Sequence, residues 1–140
     1  AEEEGARRLV GGEAPDGELA CGNWVTPAVF AEVDNRMTLA QEEVFGPVLA
    51  VIPVDDEDEA IRVANDSSYG LSAGVYTDDV AQALRVSRAL RTGTVGVNAY
   101  AFLPNAPFGG YKESGLGREG GIEGIESMLE TKTVMIDLAR

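Results

Sequence analysis

The fold class is decided by the stretch Val48-Leu49-Ala50-Val51-Ile52, a near-continuous apolar run that follows a Gly-Pro break at Gly46-Pro47. A run of this length without polar alternation predicts a strand buried on both faces, as in a parallel sheet covered by helices. The neighbouring segments show whether such a sheet continues along the chain.

Helices and strands are predicted to alternate after this run. The predicted order is a helix opened by Asp56 with Glu59 three residues on, a strand over 71–76, a helix begun by Thr77-Asp78-Asp79 and a strand over 94–97. Strands that alternate with helices over short connections are typical of α/β folds with parallel sheets. We therefore expect an α/β domain with a parallel sheet.

The flanking segments are less regular. Residues 1–12 predict the end of a helix, entered partway along, then a short strand and a turn. Residues 24–30 are β-prone, and Pro27 indicates an edge or irregular strand. Residues 99–118 form a long loop rich in aromatic residues, glycine and proline, which is typical of a loop at a functional site. A helix over 119–129 and a terminal strand over 131–138 are predicted to follow.

Composition excludes several classes of function. The chain has 140 residues, 11 Lys and Arg against 24 Asp and Glu, and a net charge of −13, so neither a nucleic acid nor an anionic membrane surface is an expected partner. No apolar run is long enough to span a bilayer. With no histidine, we expect no His-dependent catalysis and no metal site that relies on imidazole. With one cysteine, we expect no internal disulfide and a cytoplasmic location.

Three further motifs have simple structural interpretations. Residues 115–120 match G-x-G-x-x-G, but no buried strand leads directly into them, so we expect a glycine-rich turn before a helix. The acidic run 55–59 is interpreted as helix capping and a solvated surface instead of a metal or partner site. Cys21 lies in a loop with Asp16 and Glu18 nearby, a setting that disfavours a reactive thiolate, and is interpreted as an incidental cysteine.

The most informative motif is Glu42-Glu43-Val44-Phe45-Gly46-Pro47. A carboxylate just before a parallel strand can accept hydrogen bonds from ribose hydroxyls, and a nearby aromatic side chain can pack on a flat ring. The residues alone leave this interpretation and a plain capped turn about equally supported.

Four segments together resemble the C-terminal portion of the NAD(P)-dependent aldehyde dehydrogenase superfamily. They are Gln41–Pro47, Asn65–Ala73, Gly93–Asn98 and Pro107–Glu119, and the closing Leu129–Val134 is similar to that family's final strand. The resemblance extends over essentially the whole chain, in order. It implies an enzyme that oxidises an aldehyde to a carboxylic acid with NAD or NADP as cofactor.

The resemblance also implies roles for individual residues. Glu43 would bind the nicotinamide-ribose hydroxyls and Phe45 would pack beside the nicotinamide ring. The loop with Phe102, Leu103 and Phe108 would line the aldehyde entrance. Residues 131–138 would form an oligomerisation strand that pairs with another subunit, giving a homo-oligomer, dimer or tetramer.

The family's catalytic cysteine, general-base glutamate and Rossmann domain match nothing in this chain. We therefore expect residues 1–129 to be the C-terminal part of the catalytic domain, residues 130–140 the oligomerisation strand, and the isolated chain to be inactive with no catalytic residue of its own. Two alternatives stay open: a non-catalytic interaction module that acts through its C-terminal edge strand, and an independent cysteine enzyme that uses Cys21.

Overall fold

The computed structural model of the chain describes residues 1–99 and 101–138. Contacts divide the chain into a first unit, Ala1–Ser67, and a second unit, Ser68–Arg140. Helices alternate with strands in both units, and each unit contains one parallel strand pair. The predicted α/β class is therefore confirmed, although the strands of the described residues form three small sheets and not one.

The first unit is built on a three-stranded sheet. Its elements are β1 (Arg7–Val10), β2 (Ala28–Ala31), α1 (Thr38–Gln41), β3 (Val48–Ala50) and α2 (Glu57–Asn65), with short 3-10 helices at Glu2–Glu4 and Gly17–Cys21. The central strand is β2, which pairs antiparallel with β1 and parallel with β3. Ala28 in β2 and Val33 just after it are buried, so the core of this unit lies along the central strand.

Two expectations for this sheet are wrong. The apolar run 48–52 does form a strand, but β3 lies at the sheet edge, and Leu49 is 58% exposed instead of buried on both faces. The strand predicted within 24–30 is central, so the expected edge position is wrong, whereas the irregular alternative agrees with the register shift in its pairing with β1 between Arg8 and Val10. It begins at Ala28, so Pro27 lies just outside it and the missing N–H of that proline removes no ladder hydrogen bond.

The acidic run 55–59 acts as the N-terminal cap of α2. The Asp56 carboxylate accepts a hydrogen bond from the Glu59 backbone N–H at 2.8 Å, and the Glu59 carboxylate accepts one from the Asp55 N–H at 2.9 Å. The first bond satisfies an N–H group that the first helical turn leaves without a partner, and the second ties the residue before the cap to the same turn. The capping interpretation is confirmed.

The second unit contains the predicted strand–helix–strand segment. Its elements are β4 (Tyr69–Gly70), β5 (Ser72–Val75), α3 (Val80–Ala89), β6 (Thr94–Val97), β7 (Tyr111–Lys112) and α4 (Gly121–Glu126). Strands β5 and β6 pair in parallel, whereas β4 and β7 pair antiparallel. The Asp79 carboxylate caps α3 by accepting from Ala81 N–H at 2.8 Å, as the sequence predicts.

The C-terminal segment departs from expectation. Helix α4 is shorter than the predicted 119–129: it starts only at Gly121, where Gly120 and Gly121 take positive φ angles of 70° and 60°, and it ends at Glu126. Residues 131–138 form no helix or strand, and positions 139 and 140 lie outside the described residues. The strand expected there is not formed within this chain; its pairing with another subunit stays a prediction, because it requires a second chain.

Over residues 1–99 and 101–138, every helix is too short or too polar to pass through a bilayer.

Candidate functional site

The loop with Glu43 and Phe45 connects α1 to β3 in the first unit. Its C-terminal end is fixed to the sheet, because Pro47 O accepts a hydrogen bond from Ala28 N–H in β2 at 2.9 Å. Val48 N–H donates to Gly46 O at 2.8 Å, which tightens the turn at the start of β3. The loop therefore enters the parallel strand from a defined direction.

Phe45 has two unusual properties. Its φ angle is +50°, in the left-handed region that non-glycine residues seldom adopt, and its side chain is 93% exposed. A strained backbone that holds a large apolar ring in solvent is typical of a binding site, where strain and exposure serve a ligand or partner. The conformation makes the Phe45 ring available for packing against a flat group.

Glu43 supplies a carboxylate two residues earlier. It is exposed, and its side chain makes no hydrogen bond or ion pair with the rest of the described chain. An ionised carboxylate accepts hydrogen bonds at both oxygens, so a pair of neighbouring hydroxyls is a suitable ligand group. Together, Glu43 and Phe45 offer an acceptor and an aromatic surface on one short loop.

The start of α1 is held by a residue distant in sequence. The Glu4 carboxylate accepts hydrogen bonds from Thr38 N–H at 3.0 Å and Thr38 Oγ1 at 2.9 Å. These hydrogen bonds lower the pKa of the Glu4 carboxyl below its ordinary value, the backbone bond being the larger cause. Glu4 thus acts as the cap that α1 lacks locally, since Met37 makes no side-chain cap.

A pH dependence follows from this lowered pKa. A carboxyl whose pKa is lowered by folding stabilises the folded state above its unfolded pKa, and this stabilisation disappears as the pH falls through the folded pKa. We expect Glu4→Gln to lower the urea midpoint of unfolding at pH 7, with the difference from wild type shrinking as the pH is lowered below 4. Glu3→Gln, one residue away, is the control and should change little. An equal deficit for Glu4→Gln at pH 7 and at pH 3 would contradict this role.

The second unit brings together the aromatic residues predicted at the aldehyde entrance. The Phe102 and Phe108 rings meet edge to face, with centroids 5.7 Å apart and planes at 74°. Both rings, with Leu103, line a small cavity of about 70 Å³. Phe102 and Leu103 are more than half exposed, whereas Phe108 is half-buried. The three residues therefore form one apolar surface.

Phe108 is held by the chain that follows it. Its N–H donates to Glu119 O at 2.7 Å, and Glu119 N–H donates back to Phe108 O at 2.8 Å. Arg118 closes the same loop by donating from Nη1 to Gly110 O and Gly117 O, each at 2.8 Å, and its guanidinium lies 5.5 Å from the centre of the Tyr111 ring. The sequence does not predict this role of Arg118, because its hydrogen-bond partners are backbone carbonyl groups, which leave no signal in the sequence.

Two other candidates carry no chemistry in this structure. Gly115 and Gly120, within the G-x-G-x-x-G match, have positive φ angles in a turn that leads into α4, as the sequence predicts. Cys21 is exposed at the end of the short 3-10 helix Gly17–Cys21, and its Sγ donates to Glu18 O at 3.1 Å within the same turn. Neither arrangement forms a phosphate cradle or a nucleophile with a base.

Comparison with known proteins gives one consistent family. The model of the aldehyde dehydrogenase family matches residues 1–134. A curated relative from Staphylococcus saprophyticus, named as an aldehyde dehydrogenase, is 50% identical over 94% of this chain. The crystal structure of a Mycobacterium tuberculosis aldehyde dehydrogenase complexed with NAD+ has a TM-score of 0.94 and 54% identity, covering 99% of this chain and 29% of that one.

A further solved structure extends the likeness. It is an indole-3-acetaldehyde dehydrogenase mutant from P. syringae in complex with NAD+ and IAA, with a TM-score of 0.92 and 43% identity over 98% of this chain and 28% of that one. The chain spans about 28% of the length of the S. saprophyticus relative. The family match and the structural agreement lead to the same conclusion: this chain belongs to the aldehyde dehydrogenase family.

Proposed function

We propose that this chain is the C-terminal segment of an aldehyde dehydrogenase that oxidises an aldehyde to a carboxylic acid with NAD(P). Membership of the family supports the reaction class. The observation that carries the proposal is the loop with Glu43 and Phe45, which lies directly before the parallel strand β3 and presents a carboxylate without a partner in the described chain and a solvent-exposed ring.

In this proposal Glu43 and Phe45 bind the nicotinamide end of the cofactor. The Glu43 carboxylate accepts hydrogen bonds from the two ribose hydroxyls, and the Phe45 ring packs beside the nicotinamide. The residues fit such a ligand, because the carboxylate is free to accept and the ring is exposed. When bound, the nicotinamide supplies the hydride acceptor that aldehyde oxidation requires.

NAD is the favoured cofactor, with NADP as the alternative. The M. tuberculosis and P. syringae enzymes were both solved with NAD+. Discrimination between the two cofactors depends on groups that contact the adenosine 2′ position, and neither Glu43 nor Phe45 is proposed to reach it.

Phe102, Leu103 and Phe108 are proposed to line the aldehyde entrance. Their apolar surface suits the carbon chain or ring of an aldehyde, and the edge-to-face pair fixes the relative position of the two phenyl rings. Changes at these positions should alter which aldehydes are preferred more than the maximal rate.

Residues 131–138 are proposed to pair with another subunit and form a homo-oligomer. The apolar residues of this segment are strongly exposed: Val134 by 70%, Ile136 by 74% and Leu138 by 86%. An apolar segment that forms no strand within its own chain can gain backbone hydrogen bonds and bury these side chains by adding to a neighbouring sheet. A cytoplasmic location stays a prediction.

The isolated 140-residue chain is expected to show no dehydrogenase activity. Covalent aldehyde oxidation in this family needs an activated cysteine. Cys21, the only cysteine of the chain, is exposed, and its thiol donates to the Glu18 carbonyl and not to a base. We expect the purified chain, mixed with NAD+ and an aldehyde, to form NADH no faster than a control without protein. The complete enzyme that carries the segment is the positive control. Aldehyde-dependent NADH formation by the chain alone would contradict the proposal and favour catalysis through Cys21.

A further inference from the structure

Helix α1 is a single turn, yet it leads directly into the loop with Glu43 and Phe45. One helical turn gains too few hydrogen bonds to be stable by itself. Its position must therefore depend on contacts with other parts of the first unit. Glu4 holds its N-terminal end, as described above, and Gln41 is its last residue.

Gln41 fixes the C-terminal end of the turn. Its Nε2 donates a hydrogen bond to Asn35 O at 2.6 Å and another to Asp66 O at 2.9 Å. Asp66 is the residue that caps the C-terminus of α2. One half-buried amide group thus joins three segments: the turn before α1, the end of α1 and the end of α2.

Asn35 reinforces this junction from the other side. Its Nδ2 donates to Asp66 O at 3.1 Å and to the Asp66 carboxylate at 2.9 Å. Asp66 O therefore accepts from both amides, which satisfies a carbonyl that the end of α2 would otherwise leave without an intrahelical partner. Since Gln41 contacts both Asn35 and Asp66, displacing its side chain would loosen the whole junction.

The junction sets the geometry of the loop that follows. Residues 42–45 lie between the anchor at Gln41 and the hydrogen bonds at Gly46 and Pro47. Phe45 holds its left-handed conformation inside this short span. A strained conformation persists only where the surrounding structure fixes it, so both anchors are needed to keep it.

We propose that Gln41 is a positioning residue for dinucleotide binding: by donating to Asn35 O and Asp66 O, it holds the Glu43–Phe45 loop in its binding conformation. This inference rests on the proposed function, in which Glu43 and Phe45 contact the cofactor. Gln41 itself is not proposed to contact the cofactor. Its effect is to reduce the conformational freedom that the loop would otherwise lose on binding.

The experiment uses three substitutions in the complete enzyme that carries the segment. Gln41→Glu keeps the shape of the side chain but cannot donate, and Gln41→Met removes the polar group entirely, which covers the case in which Gln41→Glu fails to fold. Gln41→Lys restores a donor that can reach both carbonyl groups. Arg7→Gln is the matched control, since Arg7 donates to Glu32 across the same separation of 25 residues in the same unit.

Two readouts separate positioning from simple stabilisation. The dinucleotide Kd, measured by fluorescence titration without aldehyde, should rise about tenfold in Gln41→Glu and Gln41→Met. It should stay within about twofold of wild type in Gln41→Lys and Arg7→Gln. Amide hydrogen exchange of residues 42–46 in the dinucleotide-free enzyme should accelerate in the first two variants, while exchange in β2 stays unchanged.

Each result either supports or overturns the inference. An unchanged Kd in both Gln41→Glu and Gln41→Met, or a raised Kd that Gln41→Lys does not restore, overturns it. The proposed function fails separately, if Glu43→Gln leaves the Kd unchanged. A raised Kd for Glu43→Gln together with wild-type binding by the Gln41 variants would therefore overturn only the role of Gln41.

Discussion

Glu43→Gln is expected to weaken dinucleotide binding by the complete enzyme about tenfold to a hundredfold, the range for losing hydrogen bonds to a charged acceptor. The substitution keeps the length and shape of the side chain but removes the charge and one acceptor oxygen. Glu43 has no partner in the described chain that the change would disturb, so the fold should be unaffected. Isothermal titration with NAD+ measures the effect directly.

Glu42→Gln is the matched control for this change. Glu42 is the adjacent residue and is also exposed. Its backbone N–H donates a hydrogen bond to Thr38 O at 2.9 Å, at the end of α1. The proposal assigns no ligand to its side chain, so NAD+ affinity should stay within about twofold of wild type. Equal losses for Glu42→Gln and Glu43→Gln would indicate a general effect of negative charge on the loop and would contradict a specific role for Glu43.

Gly93→Ala is expected to lower the free energy of unfolding by about 2–3 kcal/mol or more, the range for forcing extra atoms into a packed site. A Cβ at this position would overlap the carbonyl oxygen of Gly109, which is backbone and cannot rotate away. Gly93 is also fixed from the other side, because its N–H donates to Gly70 O at 3.1 Å. The clash would therefore push the loop with Phe108 away from β6.

Gly117→Ala is the control in the same glycine-rich region. A Cβ at Gly117 meets nothing within 4 Å, and its φ angle is not in the left-handed region. The urea midpoint of unfolding of the Gly117→Ala variant should match that of the wild type. If Gly93→Ala unfolded at the same urea concentration as Gly117→Ala, the close approach of the two backbone segments would not exist in solution.

The parts of the fold that depend on local chemistry could be predicted from sequence. Strand β6 has the predicted bounds, 94–97, because a short apolar stretch between two turns leaves few alternatives. Asp56 and Asp79 cap the helices that they were predicted to open, since a capping carboxylate contacts only the next few residues. The resemblance assigned binding roles to Glu43 and Phe45 by motif alone, and these roles stay a prediction.

The parts that depend on distant contacts could not be predicted. Whether β3 is central or at an edge depends on which strand pairs with it, and an apolar run such as 48–52 is the same in both cases. Gln41 and Arg118 act through carbonyl oxygens of residues that are distant along the chain or hidden in a loop. The left-handed φ of Phe45 could not be predicted either, because non-glycine residues seldom adopt that conformation.

The central claim is that the carboxylate of Glu43 binds the nicotinamide ribose while the Phe45 ring packs beside the nicotinamide. The crystal structure of the complete enzyme with NAD+ bound tests this most directly. We expect both ribose hydroxyls within hydrogen-bond distance of the Glu43 carboxylate, about 2.5–3.0 Å between oxygens, and the Phe45 ring in contact with the nicotinamide. A ribose whose hydroxyls are held by other residues, with Glu43 still in solvent, would contradict the account.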